Sequence, residues 1–220
     1  MKYDNDIFLD GPVNLGNTIA DGLLQIGAVE LSPKDPFTWS SGWKSPIYCD
    51  NRLILSYPIL RDLVIDGYEE IVKQTFPSAD VIVGTATGGI APAALLSQRL
   101  GLPMVYVRSG AKDHGKQKRI EGKLVLGSHA IVIEDTLSTG KSSYSAVEAV
   151  QEEGVHVSAV FTVLSYDFDV AKALARKVGV PAYRLVHYQA LIDVAVRGGY
   201  VSSEDVDLLL SWRKSPETFG

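Results

Sequence analysis

The chain has 220 residues, of which 46% are hydrophobic and 21% charged, with a formal net charge of −5. This composition predicts one α/β domain with one sizeable core, and the acidic balance argues against a nucleic-acid binder, which would present a basic surface. A single cysteine, Cys49, excludes an intrachain disulfide, and there is neither a signal pattern nor an apolar run near about 20 residues, so we expect a cytoplasmic protein without a membrane partner.

The first predicted elements precede the main alternation of strands and helices. Apolar residues at helical spacing predict a helix over residues 15–29, with Asn14 or Asn17 as its N-cap. After a proline-rich passage we expect a short strand at 47–49 and a long helix at 57–76.

From residue 81 onward, strands and helices alternate regularly. The predicted elements are a strand at 81–83, a helix at 90–100, strands at 104–107 and 130–133, a helix at 144–153 and a strand at 157–164. Such alternation favours a mostly parallel, twisted sheet with helices on both faces. Because ligands of these sheets bind at the carboxyl ends of strands, the segments after the first three strands should converge on one crevice.

The longest polar segment is the loop at 108–123, which is too long for an ordinary strand connection. It contains two acidic residues and six basic ones: Arg108, Lys112, Lys116, Lys118, Arg119 and Lys123. A basic loop in an acidic chain indicates an anionic ligand, and its three glycines would let it close as a lid. A charged loop that is merely solvated is the alternative.

Residues 130–142 combine features of a phosphate site. An apolar strand is followed by Glu134 and Asp135, and then by a turn of small hydroxyl residues and glycine. Backbone N–H groups of such a turn, with the N-terminus of the following helix, can hold a phosphate dianion. Both acids would repel that phosphate, so we expect them to meet ribose hydroxyls or hydrated Mg²⁺. The pattern predicts a sugar-phosphate site.

This stretch has two other interpretations. Gly140-Lys141-Ser142 supplies the last three residues of a Walker P-loop, but the glycine required five positions before Gly140 is Asp135. The other is an ordinary strand-turn-helix with two solvated acids. A second strand-to-glycine turn lies at 83–92, a pattern that many α/β turns share.

The last predicted element is an amphipathic helix over residues 202–213, with Ser202 or Ser203 as its cap. We expect it to pack on the core, rather than to bind a partner, through four apolar residues: Val206, Leu209, Leu210 and Trp212.

Three motifs together resemble a known family. The strand, the two acids and Ser138-Thr139-Gly140-Lys141-Ser142 resemble the signature with which type I phosphoribosyltransferases bind 5-phosphoribosyl 1-diphosphate (PRPP). Segment 108–115 resembles the mobile catalytic loop of orotate phosphoribosyltransferases, and segment 37–52 resembles their N-terminal substrate segment in a bacterial subgroup. The likeness extends over about residues 14–214.

The resemblance implies a fold and an activity. The fold would be the type I phosphoribosyltransferase fold in a single domain over 1–220, with an N-terminal substrate-capping hood at about 14–55, a PRPP-binding core at about 56–200 and the C-terminal helix. The implied reaction is Mg²⁺-dependent transfer of phosphoribose from PRPP to orotate, giving orotidine 5′-monophosphate and pyrophosphate in UMP synthesis. A purine phosphoribosyltransferase and a non-catalytic PRPP-sensing regulator are the alternatives.

The resemblance also implies the site residues. Catalysis is expected from Lys112, His114, Glu134 and Asp135. PRPP contacts are expected from these four and from Arg108, Thr87, Gly88, Thr136, Leu137, Ser138, Thr139, Gly140, Lys141 and Ser142. Orotate contacts are expected from Ser138, Arg52 and Lys44, although both cations could instead be ordinary surface charges.

The implied partners are Mg²⁺ and a second copy of the chain. Mg²⁺ would arrive with PRPP near Asp135 rather than be held permanently, and the loop 108–123 would act across the interface of a homodimer. Some relatives carry lysine or arginine at positions that are occupied here by Ser40, Thr87 or Gly88, Ser109 and Phe168. Which residue binds the orotate carboxylate therefore stays open.

Overall fold

The computed structural model describes residues 7–39, 42–110 and 119–219. Its strands, in chain order, are β1 (Phe8–Asp10), β2 (Val29–Leu31), β3 (Phe37–Thr38), β4 (Lys44–Ser45), β5 (Ile47–Cys49), β6 (Val81–Thr85), β7 (Met104–Val107), β8 (Ile120–Glu121), β9 (His129–Leu137), β10 (His156–Ser165) and β11 (Ala182–His187). Its α-helices are α1 (Val13–Gln25), α2 (Pro58–Thr75), α3 (Ile90–Leu100), α4 (Lys141–Glu152), α5 (Asp169–Val178), α6 (Tyr188–Arg197) and α7 (Val206–Lys214). Short 3₁₀ helices cover Asn51–Ser56, Ser203–Asp205 and Pro216–Thr218.

Seven strands form one sheet in the order β1-β11-β10-β9-β6-β7-β8. Every neighbouring pair is parallel except β7 and β8, which pair antiparallel. Two small antiparallel pairs, β2 with β5 and β3 with β4, lie in the N-terminal segment outside this sheet. The predicted mostly parallel α/β sheet is therefore confirmed.

Helices cover both faces of the sheet. One face buries Ile131 and Ile133 of β9 in an apolar cluster with residues of α1, α2, α3, α6 and α7. The other face buries Val132 in a second cluster with residues of α4 and α5. Successive strand residues point to opposite faces, so an uninterrupted apolar run is what a strand covered on both sides requires.

The N-terminal helix differs from its prediction. It spans Val13–Gln25 and follows Pro12 without a side-chain cap, so Asn14 and Asn17 lie inside it and the predicted cap was wrong. It also ends earlier, because Gly27 has a φ of 71° and residues 29–31 pair with β5. Pairing with a distant strand here overrides the local helical pattern.

The strand and helix around the acid pair are longer than predicted. β9 continues past residue 133 to Leu137, because Glu134, Thr136 and Leu137 pair with β10. α4 begins at residue 141 rather than 144, which leaves a turn of only residues 138–140. Both acids therefore lie within the paired part of β9, which fixes the directions of their side chains.

Most other predicted elements are confirmed to within one or two residues. α2, α3, β7 and β10 have the expected positions. At the C-terminus, Ser202 forms a capping box with Asp205, and α7 buries Leu209 and Trp212 against the core as expected. Eight elements were not predicted: β1, β2, β3, β4, β8, α5, β11 and α6. No helix of the described ranges is long and apolar enough to cross a bilayer.

Candidate active site

The site lies where four parallel strands end. β10, β9, β6 and β7 are neighbours in that order, so the segments that follow them share one edge of the sheet. One cavity at this edge is lined by Thr85 of β6, Arg108 after β7 and Lys141 after β9, and two others join the carboxyl end of β9 to Gly88 after β6 and to Tyr166 after β10. The predicted convergence of loops is confirmed.

Glu134 is a buried acid beneath the first turn of α4. Its side chain accepts hydrogen bonds from the Oγ atoms of Ser142 at 3.2 Å and Ser143 at 3.0 Å. Burial, followed by the negative charge of Asp135, raises the pKa of Glu134 to about 8. Burial therefore favours the protonated form of Glu134 near neutral pH.

Asp135 points to the opposite face of β9 because successive strand residues alternate. Its Oδ1 accepts from the backbone N–H of Thr136 at 2.8 Å, and its carboxylate contacts the position of Gly88. The buried Asn51 donates from Nδ2 to the backbone oxygen of Asp135 at 2.9 Å and to Thr136 Oγ1 at 3.0 Å. Asn51 was missed from the sequence, which carries no local signal for this long-range contact.

The turn at 138–140 leads directly into α4. Gly140 has a φ of 79°, a left-handed conformation that glycine adopts without steric cost. No side chain caps the helix, so its first N–H groups face the turn and are suited to an anion. Leu137 has a fully buried side chain, which leaves only its backbone for the predicted PRPP contact.

The glycine turn after β6 packs tightly on β9. A Cβ at Gly89 would overlap the backbone oxygen of Ile133, and one at Gly88 would overlap the Asp135 carboxylate. The peptide bond between Ala86 and Thr87 is cis, and the Thr87 side chain is exposed. Both glycines are thus required by close approach rather than by turn geometry alone.

The two ends of the basic loop pair with each other as an antiparallel hairpin. The Arg108 N–H donates to the backbone oxygen of Arg119 at 2.8 Å, and Arg119 Nη2 donates to Ser145 Oγ of α4 at 3.1 Å. With Lys141 and Ser142, these two arginines line a cavity of about 210 Å³. The sequence predicted no individual role for Arg119 among the six cations of the loop. Lys112 and His114 lie outside the described residues.

A wider cleft of about 660 Å³ lies on the other side of the phosphate turn. Its lining combines aromatic, hydroxyl and basic side chains: Thr38, Trp39, Trp43, Tyr48, Cys49, Thr136, Ser138, Thr139, Lys141 and Tyr166. Trp39 stacks on Trp43 with ring centroids 6.5 Å apart and packs against Tyr166 at 5.6 Å. Aromatic walls with polar groups at one end suit a flat heterocycle.

The cysteine in this cleft is not a nucleophile. Burial raises the pKa of the Cys49 thiol to about 12, and its Sγ lies 3.8 Å from Thr136 Oγ1. The thiolate, which is the reactive form, is therefore scarce at neutral pH.

The predicted orotate-binding residues occupy three different places. Ser138 lines the wide cleft, and the exposed Lys44 donates from Nζ at 2.8 Å to Thr38 Oγ1 at its rim. Arg52 instead lines a small cavity of about 20 Å³ beside Asp135, and its guanidinium pairs with both carboxylate oxygens of Asp50 at 2.6 and 2.9 Å.

The structure also shows the positions of two residues at which this chain differs from some relatives. Phe168 is buried against Tyr166 and Trp212, so its ring supports the cleft from behind. Ser109 is exposed and lines the cavity of Arg108. Ser40 lies outside the described residues.

The raised pKa of Glu134 predicts a pH-dependent stability. Its pKa in the fold, about 8, lies above its ordinary value of 4.5, so between these pH values the folded chain keeps a proton that the unfolded chain has lost. Stability should therefore fall as the pH rises through this window, by up to about 1.4 kcal/mol per pH unit from this group. In metal-free buffer, the free energy of unfolding, measured with denaturant from pH 5 to 8.5, should depend less on pH in Glu134→Gln than in the wild type. Parallel profiles of the two proteins would contradict the assignment.

Comparisons with known proteins agree with this geometry. The family described as phosphoribosyl transferase domain matches residues 54–167. The orotate phosphoribosyltransferase of Bacillus caldolyticus is 52% identical over 202 residues, which cover 92% of this chain and 98% of that protein.

Two solved structures are also similar. The orotate phosphoribosyltransferase of Aeropyrum pernix has a TM-score of 0.72 and 28% identity, covering 84% of this chain and 99% of that one. The Mycobacterium tuberculosis H37Rv enzyme of the same name, in complex with PRPP, has a TM-score of 0.62 and 25% identity, covering 80% and 98%.

Proposed function

This chain belongs to the orotate phosphoribosyltransferase family, and on that premise we propose that it transfers phosphoribose from PRPP to orotate with Mg²⁺, giving orotidine 5′-monophosphate and pyrophosphate for UMP synthesis. The observation that carries the proposal is that Ser138 and Thr139 of the turn at 138–140, with the adjacent Lys141 of α4, also line the aromatic cleft. A sugar phosphate held by this turn has its anomeric carbon beside a flat base in the cleft.

The two ends of PRPP have different binding groups. The N–H groups of the 138–140 turn and of the first turn of α4 are suited to the 5′-phosphate. Arg108 and Lys141, at one cavity with the end of β6, are suited to the pyrophosphate. Lys112 and His114 of the loop stay predicted as further cations or donors to the leaving group.

Stabilising developing charge is the main task of the site. Loss of pyrophosphate leaves an oxocarbenium-like sugar and a leaving group that gains negative charge, and cations at that group lower the barrier. Asp135 lies at the site edge, where its carboxylate would hold Mg²⁺ that arrives with PRPP; the described residues contain no cluster of three or more metal-binding side chains. When bound, Mg²⁺ would neutralise charge on the pyrophosphate.

Glu134 supports the site from within the protein. Its side chain accepts hydrogen bonds from the hydroxyls of Ser142 and Ser143 and from the backbone N–H of Asp135 at 3.1 Å, so it joins the first turn of α4 to the end of β9. Because burial favours its protonated form, it does this with little negative charge beside the phosphates.

Loss of orotate absorbance in the presence of PRPP and Mg²⁺ tests the proposed function. Turnover should require both and stop reversibly in chelator. Consumption of a purine base instead of orotate would support the purine alternative, and PRPP binding without turnover of any base would support the regulator. Full activity of metal-stripped enzyme in chelator would contradict the role given to Mg²⁺.

The carboxylate of orotate needs a cation that faces the cleft, and we propose Lys44 over Arg52. Lys44 lies at the rim beside Thr38, whereas the charge of Arg52 is already matched by Asp50. We expect Lys44→Ala to lower kcat/KM for orotate about 10- to 100-fold, the range of one charge-assisted hydrogen bond, with PRPP affinity unchanged. Arg52→Ala is the matched control, and steady-state kinetics with each substrate varied decide the case. A larger orotate defect in the control would return the role to Arg52.

A second copy of the chain is the proposed partner, and an apolar surface beside the site supports it. Five large hydrophobic residues within positions 48–59 are exposed: Tyr48, Leu53, Leu55, Tyr57 and Ile59, the last with 82% of its surface accessible. Leu55 also lines the small cavity that contains Asp135 and Gly88. Such a group of exposed apolar side chains is typical of protein interfaces, and a partner there would lie close enough to share the site.

Mixed dimers test whether the loop acts across the interface. Lys112→Ala and Asp135→Asn chains, each nearly inactive, should regain activity when unfolded together and refolded as a mixture. Random pairing makes half the dimers hybrids with one complete site each, so about a quarter of wild-type activity is expected. Each variant refolded alone is the control. No recovery in the mixture would show that each subunit uses its own loop.

A further inference from the structure

The C-terminal helix α7 is joined to the N-terminal segment through Trp212. The Trp212 side chain is fully buried, and its indole Nε1 donates to the backbone oxygen of Lys44 in β4 at 3.1 Å. The neighbouring turn Pro216–Thr218 also contacts β4, with Pro216 buried. The last helix of the chain therefore supports the β3–β4 hairpin directly.

The same indole contacts the wall of the wide cleft from behind. Its ring lies edge-on to Trp39 and Tyr166, with centroids 5.6 and 5.7 Å away. Both of these rings line the cleft, whereas Trp212 does not. Trp39 is further fixed by a hydrogen bond from its Nε1 to the backbone oxygen of Ile47 at 3.2 Å.

The β3–β4 hairpin needs such external support. It consists of two residue pairs, Phe37 with Ser45 and Thr38 with Lys44, and has no strand pairing to the seven-stranded sheet. An isolated two-stranded hairpin is marginally stable at best in water. Its position over the cleft therefore depends on contacts from outside the hairpin, and Trp212 makes both a hydrogen bond to β4 and ring contacts with Trp39 and Tyr166.

We propose that Trp212 is a positioning residue that sets the width of the base cleft by holding the β3–β4 hairpin against Tyr166. This inference rests on the proposed function, which assigns the cleft to orotate. Trp212 acts through Lys44 and Trp39 without touching the base, and the phosphate turn, which is part of the β9–α4 connection, does not depend on it. Loss of these Trp212 contacts should therefore weaken binding of the base without weakening binding of PRPP.

Trp212→Phe removes the indole N–H while keeping an aromatic ring. The matched control is Tyr188→Phe in α6, which removes another hydrogen bond to the backbone, from Tyr188 Oη to the oxygen of Leu209 in α7 at 3.1 Å, and keeps the ring that packs against Tyr166 and Trp212. We expect Trp212→Phe to raise the KM for orotate about 3- to 10-fold, the range of one neutral hydrogen bond, with the KM for PRPP and kcat within about two-fold. The control should leave both KM values unchanged.

Several outcomes would overturn the inference. They are an unchanged orotate KM in Trp212→Phe, an equal rise of both KM values, or the same orotate effect in the control. If Trp212→Phe does not fold, Pro216→Ala weakens the second contact with β4, and an unchanged orotate KM there would equally overturn the proposal. The wild type is measured in the same assay: if it does not consume orotate, the proposed function fails and the substrate named here fails with it.

Discussion

Asp135→Asn should lower kcat by about 100-fold or more, the effect of losing one preorganised electrostatic group at a reaction centre. The amide keeps the shape of the carboxylate, so the contacts with Gly88 and with Asn51, which binds the backbone, should remain. Because an amide cannot supply the negative charge of a carboxylate, the substitution should also raise the Mg²⁺ concentration needed for half-maximal rate.

Steady-state kinetics over a Mg²⁺ titration would measure both effects of Asp135→Asn. Asp207→Asn on the exposed face of α7 changes the net charge equally and serves as the control. A variant that keeps wild-type kcat at every Mg²⁺ concentration would show that Asp135 is dispensable and would remove the proposed metal position.

Gly88→Ala should reduce kcat by a similar factor, although alanine adds only a methyl group. That methyl would overlap the Asp135 carboxylate, so the acid or the turn at 86–89 must move. Displacement of a catalytic group by about 1 Å can cost about 100-fold in rate. The free energy of unfolding should change by less than the activation free energy of the reaction, because the clash lies at the open edge of the sheet.

A double-mutant cycle shows whether Gly88 acts through Asp135. If it does, Gly88→Ala combined with Asp135→Asn should be little slower than either single variant, because both disturb the same group. Independent effects would multiply to about 10⁴-fold. A multiplicative result would assign Gly88 a separate role, such as backbone contact with pyrophosphate.

The opposite directions of the two acids explain how adjacent carboxyl groups can have different tasks. β9 turns Glu134 into the protein beneath α4 and turns Asp135 toward the glycine turn. Burial, followed by the charge of Asp135, raises the pKa of Glu134 and favours its protonated form, which weakens the repulsion between the two neighbouring carboxyl groups. A carboxyl pair in a flexible loop would not be divided in this way.

Local patterns in the sequence determined the parallel α/β sheet, the phosphate turn, the acid pair and the basic loop. Apolar runs with helical or strand periodicity specify elements within one segment, and Ser138 to Ser142 specify a turn because hydroxyl residues and glycine favour it locally. The family motifs lie in these same segments, so the type of reaction was also accessible. Elements without such a pattern, such as β1 at the sheet edge, were missed.

Tertiary structure alone decided how these parts meet. Pairing with β10 extends β9 through its polar residues, which fixes Glu134 and Asp135 on opposite faces. The contacts of Asp135 with Gly88 and Asn51 join residues 47 and 84 positions away, and Trp212 reaches Lys44 across 168 positions. Hydrogen bonds and close packing between distant segments depend on the relative placement of whole elements, which no local periodicity encodes.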